Sequence, residues 1–204
     1  MDQSKPAAHP AQQPARTLEP RFLRTCLSRF VTGVAVVSYL SDGQPRGLTV
    51  NSFTSVSMDP PLILVSLARS AKACDQLNDT PFVINVLRAS QIDVAMQFAG
   101  RPKPGAPIRW ITDGPDQPPL LAGALATFRC IPWRAYDGGD HVLQVGEVVA
   151  AEVGGEEEPL LFDRGRFAMV GLSLFDSPRM VDLDQPQRQW ITHTNRVHHI
   201  ATAV

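Results

Sequence analysis

Four short stretches hold most of the side chains able to do chemistry: GLTVNSFTSVSM at 47–58, ARSAK at 68–72, GGDH at 138–141 and RGRF at 164–167. In the first, Thr49, Asn51, Ser52, Thr54, Ser55 and Ser57 place hydroxyl and amide groups on both faces of any extended segment, just before the apolar run Leu62–Leu67. Short donors of this kind either satisfy backbone groups of a polar edge strand or converge on a ligand. In the second case small side chains let the backbone approach a flat polar ring, and their donors meet its carbonyl oxygens and ring nitrogens. Asn85, in FVINVL, divides the same way between a core asparagine satisfied by backbone and a ligand contact. His141 opens a strand directly after Gly138, Gly139 and Asp140, and a lone histidine there has structural, exposed and catalytic readings.

Composition narrows the partners. A net charge of −1 and a pI near 6.5 over 204 residues leave no electrostatic footprint for nucleic acid or an anionic membrane, which favours small molecules. Cys26, Cys74 and Cys130 are widely spaced and form no CxxC pair, so neither a disulfide framework nor a zinc signature is expected, and reduced thiols in a cytoplasm are. No window reaches the roughly 18 apolar residues of a membrane span. His193, His198 and His199 near the end have no carboxylate or cysteine cluster beside them, so no metal site is expected.

The elements that must position these stretches read mainly as strands. Residues 1–18, rich in Pro, Gln and Ala, read as a disordered leader without the apolar core of a secretory signal. Phe22, Leu23, Cys26, Leu27 and Phe30 then recur at helical spacing, and Gly33 is the expected stop. VAVVSYL and PRGLTVNSF flank Asp42-Gly43 as a hairpin. Further strands are expected at Leu62–Leu67, Phe82–Leu87, Ala124–Ile131, His141–Val153 and Phe167–Val170, with helices near 68–79 and 90–100. Between 100 and 119 lies a long loop with six prolines and three glycines, interrupted by IRWI. This is not regular βαβ alternation, and neither GxGxxG nor GxxxxGK[ST] occurs. An antiparallel barrel with peripheral helices, over residues 19–171 and followed by a tail at 172–204, is the expected architecture.

Taken in order, FLRTCLSRFVTGVAVVS, GLTVNSFTSVSMDPPLILVSL, FVINVL, GDHVLQVGEV and PLLFDRGRF resemble the flavin reductase family of split-barrel flavoproteins, the reductase components of two-component flavin-dependent monooxygenases. The resemblance runs from about Phe22 to Val170. It implies an FMN-binding type of split barrel in which Thr49, Val50, Asn51, Ser52 and Phe53 line the isoalloxazine and ribityl chain, with Ser55 and Val56 close by and Asn85 on a neighbouring strand. It implies that Ser70, Ala71 and Lys72 meet the flavin phosphate; relatives often carry a second hydroxyl at 72, and Lys72 either pairs with phosphate or points to solvent. His141 would lie at the nicotinamide site as its catalytic residue, with Arg164, Gly165, Arg166 and Phe167 as a second dinucleotide-contacting segment. Where relatives often carry Asp-Arg-Phe, this chain has RPKPGAPI at 101–108.

The implied activity is NAD(P)H-dependent flavin reduction: hydride passes from NADH or NADPH to FMN or FAD, and the reduced flavin serves a separate oxygenase. Homodimers are implied as well, with flavin near the interface. A non-catalytic carrier or storage module would keep the 49–57 donors without needing GDH and RGRF. A pyridoxine-phosphate type of oxidase would want a larger basic cluster than Arg69, Lys72, Arg164 and Arg166 supply.

Overall fold

Beyond helix α1 (Pro20–Leu27) and the short strand β1 (Thr32–Gly33), strands β2 (Ala35–Ser41) and β3 (Gln44–Val50) pair through a turn in which Asp42 and Gly43 both take positive φ, 53° and 69°. That is the primed turn an Asp-Gly pair favours. These elements come from a computed structural model that describes residues 18–105 and 107–171. The expected leader, apart from Leu18, and the expected tail with its three histidines lie outside the described residues. The next elements are β4 (Thr54–Met58), β5 (Pro61–Ala68), α2 (Lys72–Gln76), β6 (Phe82–Val86) and α3 (Ile92–Phe98). After these come β7 (Trp110–Ile111), β8 (Leu120–Leu121), β9 (Ala126–Gly138), β10 (His141–Val153), β11 (Leu161–Asp163) and β12 (Arg166–Ala168).

Seven strands form one antiparallel sheet in the order β3-β2-β6-β9-β10-β5-β4. The two edge strands, β3 and β4, are consecutive in the chain, so residues 51–53 carry it from one edge of the sheet to the other. The sheet curls into a split barrel, the mainly β architecture expected. Inside it pack Val37, Val65, Leu67, Phe82 and Ile84. Strand β2 alternates between that interior and a second cluster of Val34, Val36, Leu87, Ala95, Leu121 and Leu160, which explains its unbroken apolar run.

Helix α3 is seated on β3 at two points. Gly47 leaves room for the Phe98 ring, which would lie 2.7 Å from any Cβ there, and the Thr49 hydroxyl donates to Ala95 O at 2.8 Å. The proline-rich stretch contains β7, which pairs with β8, so the IRWI interruption is ordered as a small ladder. Several expected boundaries move: the helix expected near 68–79 is only Lys72–Gln76, and the strand expected through Phe53 ends at Val50. The first helix stops at Leu27, where Arg29 N and Phe30 N turn back to Cys26 O and Leu27 O in tighter i→i−3 bonds, leaving Ser28 O to accept from Arg164 N. Strand β9 runs on to Gly138, and β12 ends at Ala168.

Asn85 is a fully buried brace. Its amide donates to Val36 O (3.0 Å) and Ser38 Oγ (2.9 Å), and its carbonyl accepts from Leu121 N at 2.8 Å. Ser38 Oγ in turn donates to Pro119 O, so one side chain fastens the end of the proline-rich segment to two barrel strands. The flavin contact expected of Asn85 therefore meets a side chain with no accessible surface and its hydrogen-bonding groups taken by the fold. Each stranded buried donor or acceptor costs about 1–3 kcal/mol. Asn85→Ala is thus expected to lower the unfolding free energy by about 2–4 kcal/mol, read from the denaturant midpoint.

Candidate functional site

The 49–57 donors divide into two groups by their partners. Thr49 holds α3, as above. Ser52 faces β5: its hydroxyl accepts from Ser66 N and donates to Ser66 O, both at 3.0 Å. Val50 is buried in the barrel core, and Phe53 packs against Phe128 with ring centroids 5.5 Å apart. For these four the side chains serve the fold. Asn51, Thr54, Ser55 and Val56 are exposed, with Val56 at 51%. Because β4 is a sheet edge, its outward backbone N–H and C=O groups have no strand partner. Polar side chains and a free main-chain edge therefore lie side by side.

Asn51 lines a cleft of about 210 Å³ with Arg24, Leu27, Ser28, Phe30, Phe162 and Arg164. The β11–β12 turn reaches this cleft because Arg164 and Gly165 both take positive φ, 48° and 79°, and Arg164 N is tied to the end of α1. Arg166 is exposed, whereas Phe167 is half-buried and meets Phe162 edge-on at 5.6 Å. Sequence reading paired Asn51 with one ligand and Arg164 with another; the fold puts them in one cleft. It missed Arg24 and Phe30, which carry only the signal of an ordinary amphipathic helix.

His141 stands at the mouth of the β9–β10 hairpin, 41% exposed, with Nδ1 2.7 Å from Asp140 Oδ1. Hydrogen bonding to His141, then its charge, holds the Asp140 carboxyl below the usual range, and the Arg24 charge adds a smaller pull the same way. A carboxylate only accepts, so Nδ1 carries the ring proton and Nε2 is an acceptor in the neutral ring.

Just beyond the end of β5 that pairs with His141, Ser70 and Lys72 are exposed, Ala71 is half-buried, and neither polar side chain has a hydrogen-bond or ion-pair partner among the described residues. A hydroxyl and a cation suit an anionic phosphate, and the uncharged donors at 51–55 suit a polar ring, so the donor set fits a flavin nucleotide. Cys130 is buried, its thiol pushed up to about 12 by desolvation. Its thiolate is therefore scarce at neutral pH. Among the described residues no group of three His, Cys, Asp or Glu side chains is placed to hold a metal.

With this geometry in hand, the chain belongs to the flavin reductase like domain family, whose profile matches residues 27–171. An NADH-dependent FAD reductase of Streptomyces globisporus is 38% identical over 163 residues, 76% of this chain and 89% of that one. The reductase subunit of a flavin-dependent monooxygenase from Rhodococcus jostii is 36% identical over 158 residues, covering 76% and 80%. Among solved structures, a Streptomyces globisporus NADH:FAD oxidoreductase in complex with NAD and FAD fragments superposes with a TM-score of 0.67 at 35% identity, covering 77% of this chain and 98% of that one.

The division of donors gives opposite expectations for adjacent residues. Asn51→Ala should leave stability unchanged and weaken flavin binding about three- to tenfold, one hydrogen bond's worth. Ser52→Ala should lower stability by about 1–2 kcal/mol, because it strands both Ser66 backbone groups. Fluorescence titration with flavin and chemical denaturation read the two effects separately.

Proposed function

We propose that this protein is an NAD(P)H:flavin oxidoreductase that supplies reduced flavin to a separate oxygenase. The observation that carries the reading is the convergence of Asn51, Arg24 and Arg164 on one cleft, together with the Asp140–His141 pair at the β9–β10 turn. A carrier module needs only the first of these. Bound flavin supplies the electrophilic N5 that takes a hydride from nicotinamide C4, an event needing the two rings at about 3–3.5 Å. The protein's part is orientation. Asn51, Ser55 and the β4 edge hold the flavin, Ser70, Ala71 and Lys72 its phosphate, and His141 with Arg164, Gly165, Arg166 and Phe167 the nicotinamide dinucleotide. His141, fixed by Asp140, positions the nicotinamide and needs no role as a general base.

A cleft of about 210 Å³ is smaller than the roughly 300–1,000 Å³ typical of sites that enclose a ligand. The apolar residues of α1 and the turn after it support a homodimer, whose second chain would complete such a small cleft. Helix α1 buries no side chain, and Phe22, Leu27 and Phe30 are 61, 65 and 78% exposed, an arrangement an eight-residue helix cannot sustain in water alone. Sedimentation at micromolar concentration should therefore give twice the 22.3 kDa chain mass; a species of the chain mass would remove the dimer. The reading includes a cytoplasmic setting, which the three free cysteines support. Among the described residues no helix is long and apolar enough to cross a membrane.

Two experiments test the activity. His141→Ala should raise the NADH KM about tenfold, the loss of one positioning contact, with flavin affinity nearly unchanged. Abolished flavin binding with intact nicotinamide kinetics would reverse the division of the site. Placed across a membrane that passes flavin but not protein, with catalase present, the protein should support hydroxylation by a flavin-dependent oxygenase at reduced yield. Strict dependence on contact, while reduced flavin measurably crosses, would instead show direct transfer.

A further inference from the structure

We propose that Arg69 is a positioning residue that fastens the His141 turn to the phosphate-binding segment, so that the nicotinamide and flavin subsites are built on one clamp. This rests on the reading of the two subsites given above.

Ala68, the last residue of β5, pairs with His141, and His141 also pairs with Gly138 across the hairpin. The turn between them is Gly139-Asp140, with Gly139 at φ 77°, a conformation glycine adopts without strain. Arg69 follows Ala68 and grips this turn three times. Its backbone N donates to Asp140 O at 3.0 Å, its Nε donates to Gly139 O at 2.8 Å, and its Nη2 lies 3.1 Å from Asp137 Oδ1. The same Asp137 oxygen accepts from Gly139 N at 2.7 Å, so the paired carboxylate and guanidinium hold both the N–H and the C=O of Gly139. The next residue along the chain is Ser70.

Arg69 and Asp137 side chains are 48% and 81% exposed, too open for their pairing to add much global stability. What three contacts from one residue do fix is local geometry. A guanidinium presents several donors in a rigid fork, which a lysine ammonium lacks. Loss of the guanidinium would remove two of the three contacts, leave only the Arg69 N–Asp140 O bond, and so loosen the turn, and with it the ring of His141, without unfolding the barrel.

The test uses Arg69→Ala, Arg69→Lys and Asp137→Asn in the full chain. Hydrogen exchange of amides 138–141 should quicken at least about fivefold in Arg69→Ala, with Tm held within about 3 °C. This readout needs no substrate, so it stands even if the enzyme reading fails. In kinetics, Arg69→Ala should raise the NADH KM about five- to tenfold with kcat changed less than twofold, Arg69→Lys should not restore it, and Asp137→Asn should shift it the same way by less. The decisive comparison is the double variant with His141→Ala, in which removing Arg69 should add nothing further to the NADH KM. Additive effects in that double variant, or unchanged exchange at 138–141, would overturn the proposal.

Discussion

The barrel depends on how the chain closes the gap between its two sheet edges, and the group that does so is the Ser52 hydroxyl. Thr54 opposes Leu64 in the β4–β5 ladder, so Ser52 falls opposite Ser66, where the next pair would form. The backbone has already turned away toward β3. Ser52 Oγ takes over both ladder bonds, accepting from Ser66 N and donating to Ser66 O. A side chain thus replaces a strand where the main chain must leave. Alanine cannot fill that role, and a bulkier residue would push the crossover off β5.

Closing the barrel at Ser52 determines what lies on either side of it. Thr49, three residues earlier, anchors α3; Asn51, one residue earlier, faces outward into the cleft with Arg24 and Arg164. Beyond it β4 runs as a free edge with an exposed face, a hazard in a lone sheet and a set of ready partners for a polar ring. Fold and site therefore share one nine-residue stretch, its residues divided according to which way the closure turns them.

This division explains how much of the molecule was legible. The strands, the Asp-Gly turn and the split barrel follow from patterns a few residues long or from family resemblance, and both survive translation into coordinates. The sequence offers two alternative readings for the 49–57 donors as a set, backbone satisfaction or a ligand; the fold instead divides the set, with Thr49 and Ser52 on backbone and Asn51 and Ser55 exposed. Which ones could not be read, because Ser52 meets Ser66 and Thr49 meets Ala95 through register and helix placement, not through local spacing. Asn85 illustrates the same limit, since its partner Leu121 lies beyond a proline-rich stretch with no periodicity to announce it. Arg24 and Arg69 were passed over for the opposite reason: each looks ordinary locally and matters only for what it faces.

Charge shows most plainly why whole-chain properties hid the site. A net charge of −1 says nothing about where cations stand, and several arginines and lysines here are already neutralised by neighbours. Arg88 pairs with Glu157, Arg129 with Asp113, Lys103 with Asp93, and Arg69 with Asp137. By contrast Arg24, Lys72 and Arg166 have no ion-pair partner among the described residues, and each stands on a segment assigned to the site. Arg21, Arg29, Arg46, Arg101, Arg109 and Arg134 are likewise unpaired among the described residues and Arg164 pairs with Asp163, so pairing alone does not mark the site. Salt also screens exposed charges from one another beyond a Debye length of about 8–10 Å. Any steering of an anionic dinucleotide would therefore be a local effect of where Arg24, Lys72 and Arg166 stand, on a protein whose overall charge neither attracts nor repels it.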